Sequence, residues 1–255
     1  MYRYVKVSVE EGVGWIVISR SEKLNALNSE LLGELIKAVD EVEARGEVKI
    51  IVLTGEGKAF SAGADLSEPA SAETPEEAGR VFRNLARLVK RLFNVEKPLI
   101  IALNGDAYGG GAELIWTADL VVAVENAKLV WPEARWGYNA PILAALGPSI
   151  LGPSRTALLA MTAEPLTAKE AHHYGLIAKL APDQESLREE VKRIAKAIME
   201  NSPQGIKSIK NALKLAKTSP LIELGVSELE RLARGKEAME AAKAFKSKKK
   251  PEYLW

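Results

Sequence analysis

The chain has 255 residues, which suits one large domain or a domain with a helical appendage. Its net charge of +1 supplies no global basic field for nucleic acid, and a hydrophobic content of 47% is ample for a core. With no cysteine, the chain has no disulfides, thiol nucleophiles or thiolate metal sites.

The opening residues, MYRYVKVSVE, lack the basic segment and apolar core of a secretory signal. No apolar run approaches the roughly 20 residues of a membrane span. A soluble, cytoplasmic protein with neither membrane nor nucleic-acid partner is the expectation. Val5, Val7 and Val9 alternate with polar residues, Gly12 interrupts, and GWIVI follows over 14–18. That pattern predicts a β-hairpin with one wet face. Residues 20–28 are polar and irregular. Leu31, Leu32, Leu35, Ile36, Val39 and Val42 then recur at helical spacing, predicting a helix capped by Ser29 and ended by Gly46.

The β-branched run 48–53 predicts a buried strand, followed by the glycine-punctuated loop TGEGKAFSAGADL over 54–66. Thr74-Pro75-Glu76-Glu77 combines a capping box with a proline at the first helical position. The stripe Ala78, Val81, Phe82, Leu85, Val89 and Leu92 continues that helix. Apolar runs at 99–103 and 120–124 predict two more buried strands. Between them NGDAYGGGAEL, residues 104–114, opens a short helical segment with Glu113 in its first turn. Strands and helices alternating in this way predict an α/β fold with largely parallel pairing. Beyond Leu151 the chain turns helical. Capping boxes over 167–170 and 186–189 and Ser-Pro pairs at 202–203 and 219–220 mark helix starts, with one short strand over 176–180.

The two glycine loops each follow a strand and each offer unblocked backbone N–H groups, near Ala64 and near Gly110. Two such donors converging on one point form an oxyanion hole for a carbonyl oxygen gaining charge. Simple turns, with Asp65 capping the next segment, account for the same residues. Glu113 and Glu133 are the carboxylates of interest, because an apolar setting raises a carboxyl pKa toward neutrality. His172 and His173 are adjacent and the only histidines, which argues against a His triad or zinc site. Gly55-Glu56-Gly57 begins a dinucleotide fingerprint, but Phe60 stands where its third glycine must be. Trp131, Trp136 and Tyr138 read as core or as a pocket wall beside Glu133.

AFSAGADL over 59–66, NGDAYGGGAEL over 104–114 and Trp131-Pro132-Glu133 resemble the signature blocks of the enoyl-CoA hydratase/isomerase (crotonase) superfamily, in order and separation. LNAL over 24–27, TAKEAHHYGLI over 167–177 and Ala244-Phe245-Lys246 before a lysine-rich tail extend the resemblance over essentially the whole chain. It implies a spiral of ββα units over 1–190 and a C-terminal helical trimerisation region over 191–255, assembled as trimers or hexamers. It implies that the N–H groups of Ala64 and Gly110 hold a thioester oxygen, that Glu113 activates water, and that Glu133 handles the α-proton. Isomerases of this superfamily commonly keep only the second acid, so both acids favour hydration of a trans-2-enoyl-CoA. Coenzyme A enters as part of the substrate, without metal or redox cofactor. It would lie along Ala26, Ala62, Ala64, Asp65 and Leu66, with Lys23, Phe245 and Lys248 at its phosphates, the last two from a neighbouring subunit. Isomerase, hydrolase or decarboxylase chemistry, or acyl-CoA binding without catalysis, are the alternatives. The departure from the family pattern is the turn ARWGYNAPIL over 134–143, bulkier than the glycine-rich turn usual there.

Overall fold

The computed structural model describes residues 2–217 and 220–251. Among these residues ten strands form two sheets. In chain order they are β1 (Val5–Glu10), β2 (Val13–Ile18), β3 (Ile50–Gly55), β4 (Ala59–Ser61), β5 (Leu99–Leu103), β6 (Asp106–Tyr108), β7 (Leu120–Val124), β8 (Lys128–Val130), β9 (Leu166–Thr167) and β10 (Lys179–Ala181). One sheet runs β1-β2-β3-β5-β7-β10 and the other β4-β6-β8-β9. After the antiparallel β1–β2 hairpin, every pairing in the larger sheet is parallel. From β3 to β8 the chain visits the two sheets alternately, so each strand pair and the helix after it form one turn of a spiral.

The helices are α1 (Ser29–Ala44), α2 (Ser67–Ser71), α3 (Pro75–Ala78), α4 (Arg80–Phe93), α5 (Gly110–Leu114), α6 (Pro141–Ile150), α7 (Pro153–Thr162), α8 (Ala168–His173), α9 (Gln184–Met199), α10 (Pro203–Lys217), α11 (Pro220–Ala233) and α12 (Lys236–Lys246). Leu31, Leu32, Leu35, Val39 and Val42 of α1 are buried with Val81, Phe82, Leu85, Val89 and Leu92 of α4, as their spacing predicts. Each fully buried leucine contributes about 1.5–3 kcal/mol, so these stripes outweigh the helices' local propensities. No helix among the described residues is long and apolar enough to cross a membrane.

Several boundaries differ from expectation, each for a local reason. Asn28, not Ser29, caps α1, its side chain accepting from the Leu31 N–H at 2.9 Å, while the Ser29 hydroxyl donates to Glu68 at 2.6 Å. Arg45 closes that helix one residue before Gly46. The helix after Thr74 is broken, with Gly79 standing between α3 and α4. Asp183 starts α9 three residues before Ser186, whose N–H it accepts at 2.8 Å, because a carboxylate suits the positive helix end. The strand expected from Leu176 begins at Lys179, since the N–H groups of Leu176 and Ile177 both turn back to the Ala171 carbonyl. Residue 190 lies inside α9, which packs on β5, β7 and β10. Ser219 lies outside the described residues.

Candidate active site

The carboxyl ends of β3 and β5 aim the two glycine loops at one place. Buried amides hold them there. The Asn104 side chain accepts from the Gly55 N–H at 2.9 Å and donates to the Gly57 carbonyl at 3.0 Å. Asn25 donates to the Glu56 and Ala59 carbonyls at 3.0 and 2.8 Å. The loops touch at Gly63, whose φ of +82° favours glycine. A Cβ there would stand 2.6 Å from the Tyr108 carbonyl oxygen and 3.3 Å from the Gly110 nitrogen. Residues 24–27 run beside the first loop, the Leu27 N–H donating to the Gly63 carbonyl and the Asp65 N–H to the Leu27 carbonyl. This bypasses the Ala64 amide. Gly110 is the first residue of α5, so its amide has no intrahelical acceptor. Neither amide donates to any carbonyl among the described residues.

Glu113 follows on α5 and is buried at 3% exposure. Its carboxylate accepts from the Ile142 N–H at 2.7 Å and the Leu143 N–H at 3.0 Å, the first free amides of α6. That helix starts with Ala140 and Pro141 and has no side-chain cap of its own, so Glu113 supplies one across the fold. Burial raises the Glu113 pKa from an ordinary 4.5 to about 7, and the two amides oppose that rise. The Trp131 indole N–H, short of hydrogen-bond geometry with any partner, lies close enough to favour the charged form further.

Glu133 opens the 3₁₀ turn Glu133–Trp136. Its Oε2 is shut off from solvent without a hydrogen-bond partner, although the residue as a whole is half-buried. Its Oε1 lies 3.5 Å from where a Gly109 Cβ would stand, directly beside the Gly110 amide loop. Burial first, and then the negative charge of Glu113, push its pKa well above the carboxylate range. The two acids therefore titrate as a pair.

Both acids, Gly110 and Ala64 line one cleft of about 120 Å³. Besides Asn139, its other walls are largely apolar, among them Phe82, Leu85 and Val89 from α4, Ile142 from α6 and Leu229 from α11. The spacing of the α4 residues marked them only as core. Trp136 and Tyr138 line the cleft, whereas Trp131 is fully buried against Trp116. The two histidines sit on α8, His172 tied through Nδ1 to the Ile177 carbonyl at 2.8 Å, and neither lines the cleft.

Of the residues expected along coenzyme A, Ala62, Ala64 and Leu66 line the cleft. Ala26 does not, but its carbonyl accepts from Arg20 at 2.9 Å. The same guanidinium pairs with Asp65 at 2.6 Å, and Asp65 also accepts from the Ser67 hydroxyl at 2.6 Å. Burial opposes the charge on Asp65, but these partners prevail and hold its pKa below the usual range. Lys23 is exposed at the end of a 3₁₀ turn, Ser21–Lys23, beyond the cleft walls. Phe245 packs edge-on against Trp136, ring centroids 6.0 Å apart. Lys246, Lys248 and Lys249 share a neighbouring pocket with Trp136, Ser67 and Ala70. This tail approaches the cleft of its own chain, because α12 packs on α2 and on the 133–136 turn.

The enoyl-CoA hydratase/isomerase family model matches residues 8–254. A short-chain-enoyl-CoA hydratase from Clostridium acetobutylicum is 38% identical over 207 residues, covering 80% of this chain and 78% of that protein. A 1,2-epoxyphenylacetyl-CoA isomerase from Escherichia coli is 31% identical over 260 residues, covering 99% of each. Among solved structures, an enoyl-CoA hydratase/isomerase from Xanthobacter autotrophicus Py2 superposes with a TM-score of 0.86 at 28% identity, over 97% of this chain and 94% of that one.

Proposed function

Since the chain belongs to the enoyl-CoA hydratase/isomerase family and has its crotonase fold, we propose that it is an enoyl-CoA hydratase, adding water syn across the double bond of a trans-2-enoyl-CoA. The observation that carries this reading is the pair of buried acids in one apolar cleft beside two unused amides. Both pKa values are raised and the acids titrate as a pair, so the unequal hydrogen-bond partners of the two assign the roles. Glu133, raised by burial and by the charge of Glu113 and with no partner for its Oε2, is the acid of the pair; Glu113, whose carboxylate accepts from the amides of α6, is the base.

Glu113 takes a proton from water as the water oxygen bonds to C3 of the thioester. The C2–C3 π electrons move toward the carbonyl, and the resulting enolate oxygen is held by the N–H groups of Ala64 and Gly110. Glu133 then delivers its proton to C2. A carboxylate has further lone pairs beyond the two used by Ile142 and Leu143, so Glu113 can accept from water without releasing α6. Coenzyme A enters with the substrate, past Ala62 and Leu66, its phosphates meeting Lys246, Lys248 and Lys249. Exposed apolar residues such as Met161, Leu215 and Leu224 suit burial between copies in a trimer or hexamer.

A second reading rests on the unequal partners of the two acids. Glu113 is engaged through both oxygens whereas Glu133 Oε2 has no partner, which suits one acid shuttling a proton between C2 and C4 in a Δ3-Δ2-enoyl-CoA isomerase. Loss of enoyl-thioester absorbance with crotonyl-CoA supports hydration. Turnover of 3-hexenoyl-CoA without turnover of crotonyl-CoA replaces it with isomerisation.

A further inference from the structure

The turn that departs from the family pattern puts an aromatic side chain between two cavities. Tyr138 is buried at 8% exposure and lines the catalytic cleft. It also lines a second cavity of about 210 Å³ between α2, α3 and α12, walled by Ala70, Ala72, Ala78, Ala238 and Ala242. Glu73, Thr74, Arg234, Lys243 and Lys246 also border it, and the alanine side leaves room for a hydrocarbon chain. The first cavity, at about 120 Å³, is small beside the roughly 300–1,000 Å³ of pockets that engulf larger ligands.

The tyrosine is clamped. Its ring packs on Phe82 with centroids 4.5 Å apart. Its N–H donates to the Glu133 carbonyl at 3.0 Å, fixing it relative to the acid. Gly137 before it has a φ of +72°, and a Cβ there would stand 3.0 Å from Glu237 of α12. Asn139 after it donates to the Gly225 carbonyl of α11 at 3.0 Å. A ring held from α4, α11, α12 and its own turn is a fixed wall, not a swinging door.

On the acyl-CoA reading, Glu133 faces C2 and Glu113, through its water, faces C3, so carbons beyond C3 run past Glu113 toward the 134–143 turn, whose Ile142 and Leu143 amides that carboxylate binds. We propose that Tyr138 is the acyl-length stop of this enzyme: it limits the chain to short acyl groups and closes off an alanine-lined cavity that would otherwise receive longer ones. This inference rests on that reading of the cleft but not on hydration as the reaction.

The test is a chain-length series of saturated acyl-CoAs, butyryl through decanoyl, measured by calorimetry, because these bind without reacting. Wild type should bind butyryl-CoA at least as tightly as octanoyl-CoA, since an added methylene in a closed pocket costs roughly ten-fold or more. Tyr138→Ala should reverse the order, with octanoyl- or decanoyl-CoA gaining roughly ten-fold over butyryl-CoA. Adding Ala242→Phe to Tyr138→Ala refills the opened cavity and should restore the short-chain preference, whereas Ala242→Phe alone should leave the wild-type series unchanged. Should Tyr138→Ala fail to fold, Tyr138→Leu shortens the ring while keeping apolar bulk, and wild type already tests the stop. A wild-type preference for decanoyl-CoA, or an unchanged series in the shortened variants, overturns the proposal. Crotonyl-CoA hydration is measured in parallel. Hydration with an unmoved length profile sinks the stop alone, a moved profile without hydration sinks the hydratase alone, and no acyl-CoA binding sinks both.

Discussion

The carboxylate of Glu113 is bound to the backbone N–H of Ile142 at 2.7 Å, so the acid that faces the cleft is also the N-terminal cap of α6. On the proposed reading one residue therefore carries a catalytic and a structural load, and Glu133, with a buried oxygen that has no partner, carries only the first.

The two amide substitutions should separate these loads. Glu113→Gln replaces one acceptor oxygen with a donor and leaves an α6 amide unpaired in the interior, costing about 1–3 kcal/mol and lowering Tm. Glu133→Gln removes an ionisable group from a site that penalises its charge and should leave Tm unchanged or raised at neutral pH. Each should lose a factor of about 10²–10⁴ in crotonyl-CoA hydration. Thermal denaturation and initial rates on both variants check this. Equal losses of Tm would show that Glu113 is not holding α6.

Stability should depend on pH through Glu133 with a definite sign. Its folded pKa lies above the ordinary 4.5, so between those values the native state holds a proton that the unfolded chain has released. The stabilisation is fully present below about 4.5 and is lost as pH rises through the folded value. The Tm of Glu133→Gln minus that of wild type should therefore grow as pH increases from 4.5 toward that folded value. A difference that shrinks over that range would place the pKa shift in the opposite direction.

The rate should answer to Glu113. Hydration needs this group ionised, and kcat/KM should rise with pH as it passes about 7. It should fall again where Glu133 loses its proton. Because the acids interact, the two limbs report the pair. A profile flat between pH 5 and 8, with roughly no change in kcat/KM, would remove the acid pair from the rate-determining chemistry.

Much of this site was legible in the chain, and the illegible parts share a cause. Apolar spacing placed α1, α4 and the buried strands, because burial of a stripe dominates those elements. The loop order placed Ala64, Gly110, Glu113 and Glu133 around one cleft, through the family resemblance and not through spacing. Spacing could not show that Phe82 and Leu85 face a cavity, since a cleft wall and a core present the same periodicity. Nor could it pair Glu113 with Ile142, or Arg20 with Asp65, which meet only after the spiral closes. Asn25 and Asn104 open or flank the motifs, but their role in holding the 55–59 loop depends on carbonyls left without strand partners.

Glycines at the two loops should fail in different ways. At Gly110 an added Cβ would meet only the tip of Leu85, at 2.6 Å, which can swing aside. Gly110→Ala should cost little stability and lower kcat through a displaced amide. At Gly63 the added Cβ meets the Tyr108 carbonyl at 2.6 Å on a backbone with φ of +82°. Gly63→Ala should cost about 1–3 kcal/mol and reduce activity together with Tm. Urea denaturation beside crotonyl-CoA kinetics distinguishes the two, and a larger stability loss at Gly110 would contradict the contact geometry.

The Arg20–Asp65 pair, with side chains 10% and 13% exposed, ties the 24–27 segment to the loop that presents the Ala64 amide. Removing one partner of a buried pair leaves the other charge uncompensated, so Asp65→Ala should cost about 3–5 kcal/mol. The loss should exceed that of Lys248→Ala, whose ammonium makes no ion pair among the described residues. The lysine variant should instead raise KM for crotonyl-CoA while leaving kcat alone, and added salt should shrink its difference from wild type. With crotonyl-pantetheine, which lacks the nucleotide phosphates, Lys248→Ala and wild type should become indistinguishable. If the lysine variant is equally impaired on both substrates, the tail acts on the acyl end through Phe245 and Trp136, and the phosphate contact must be assigned elsewhere.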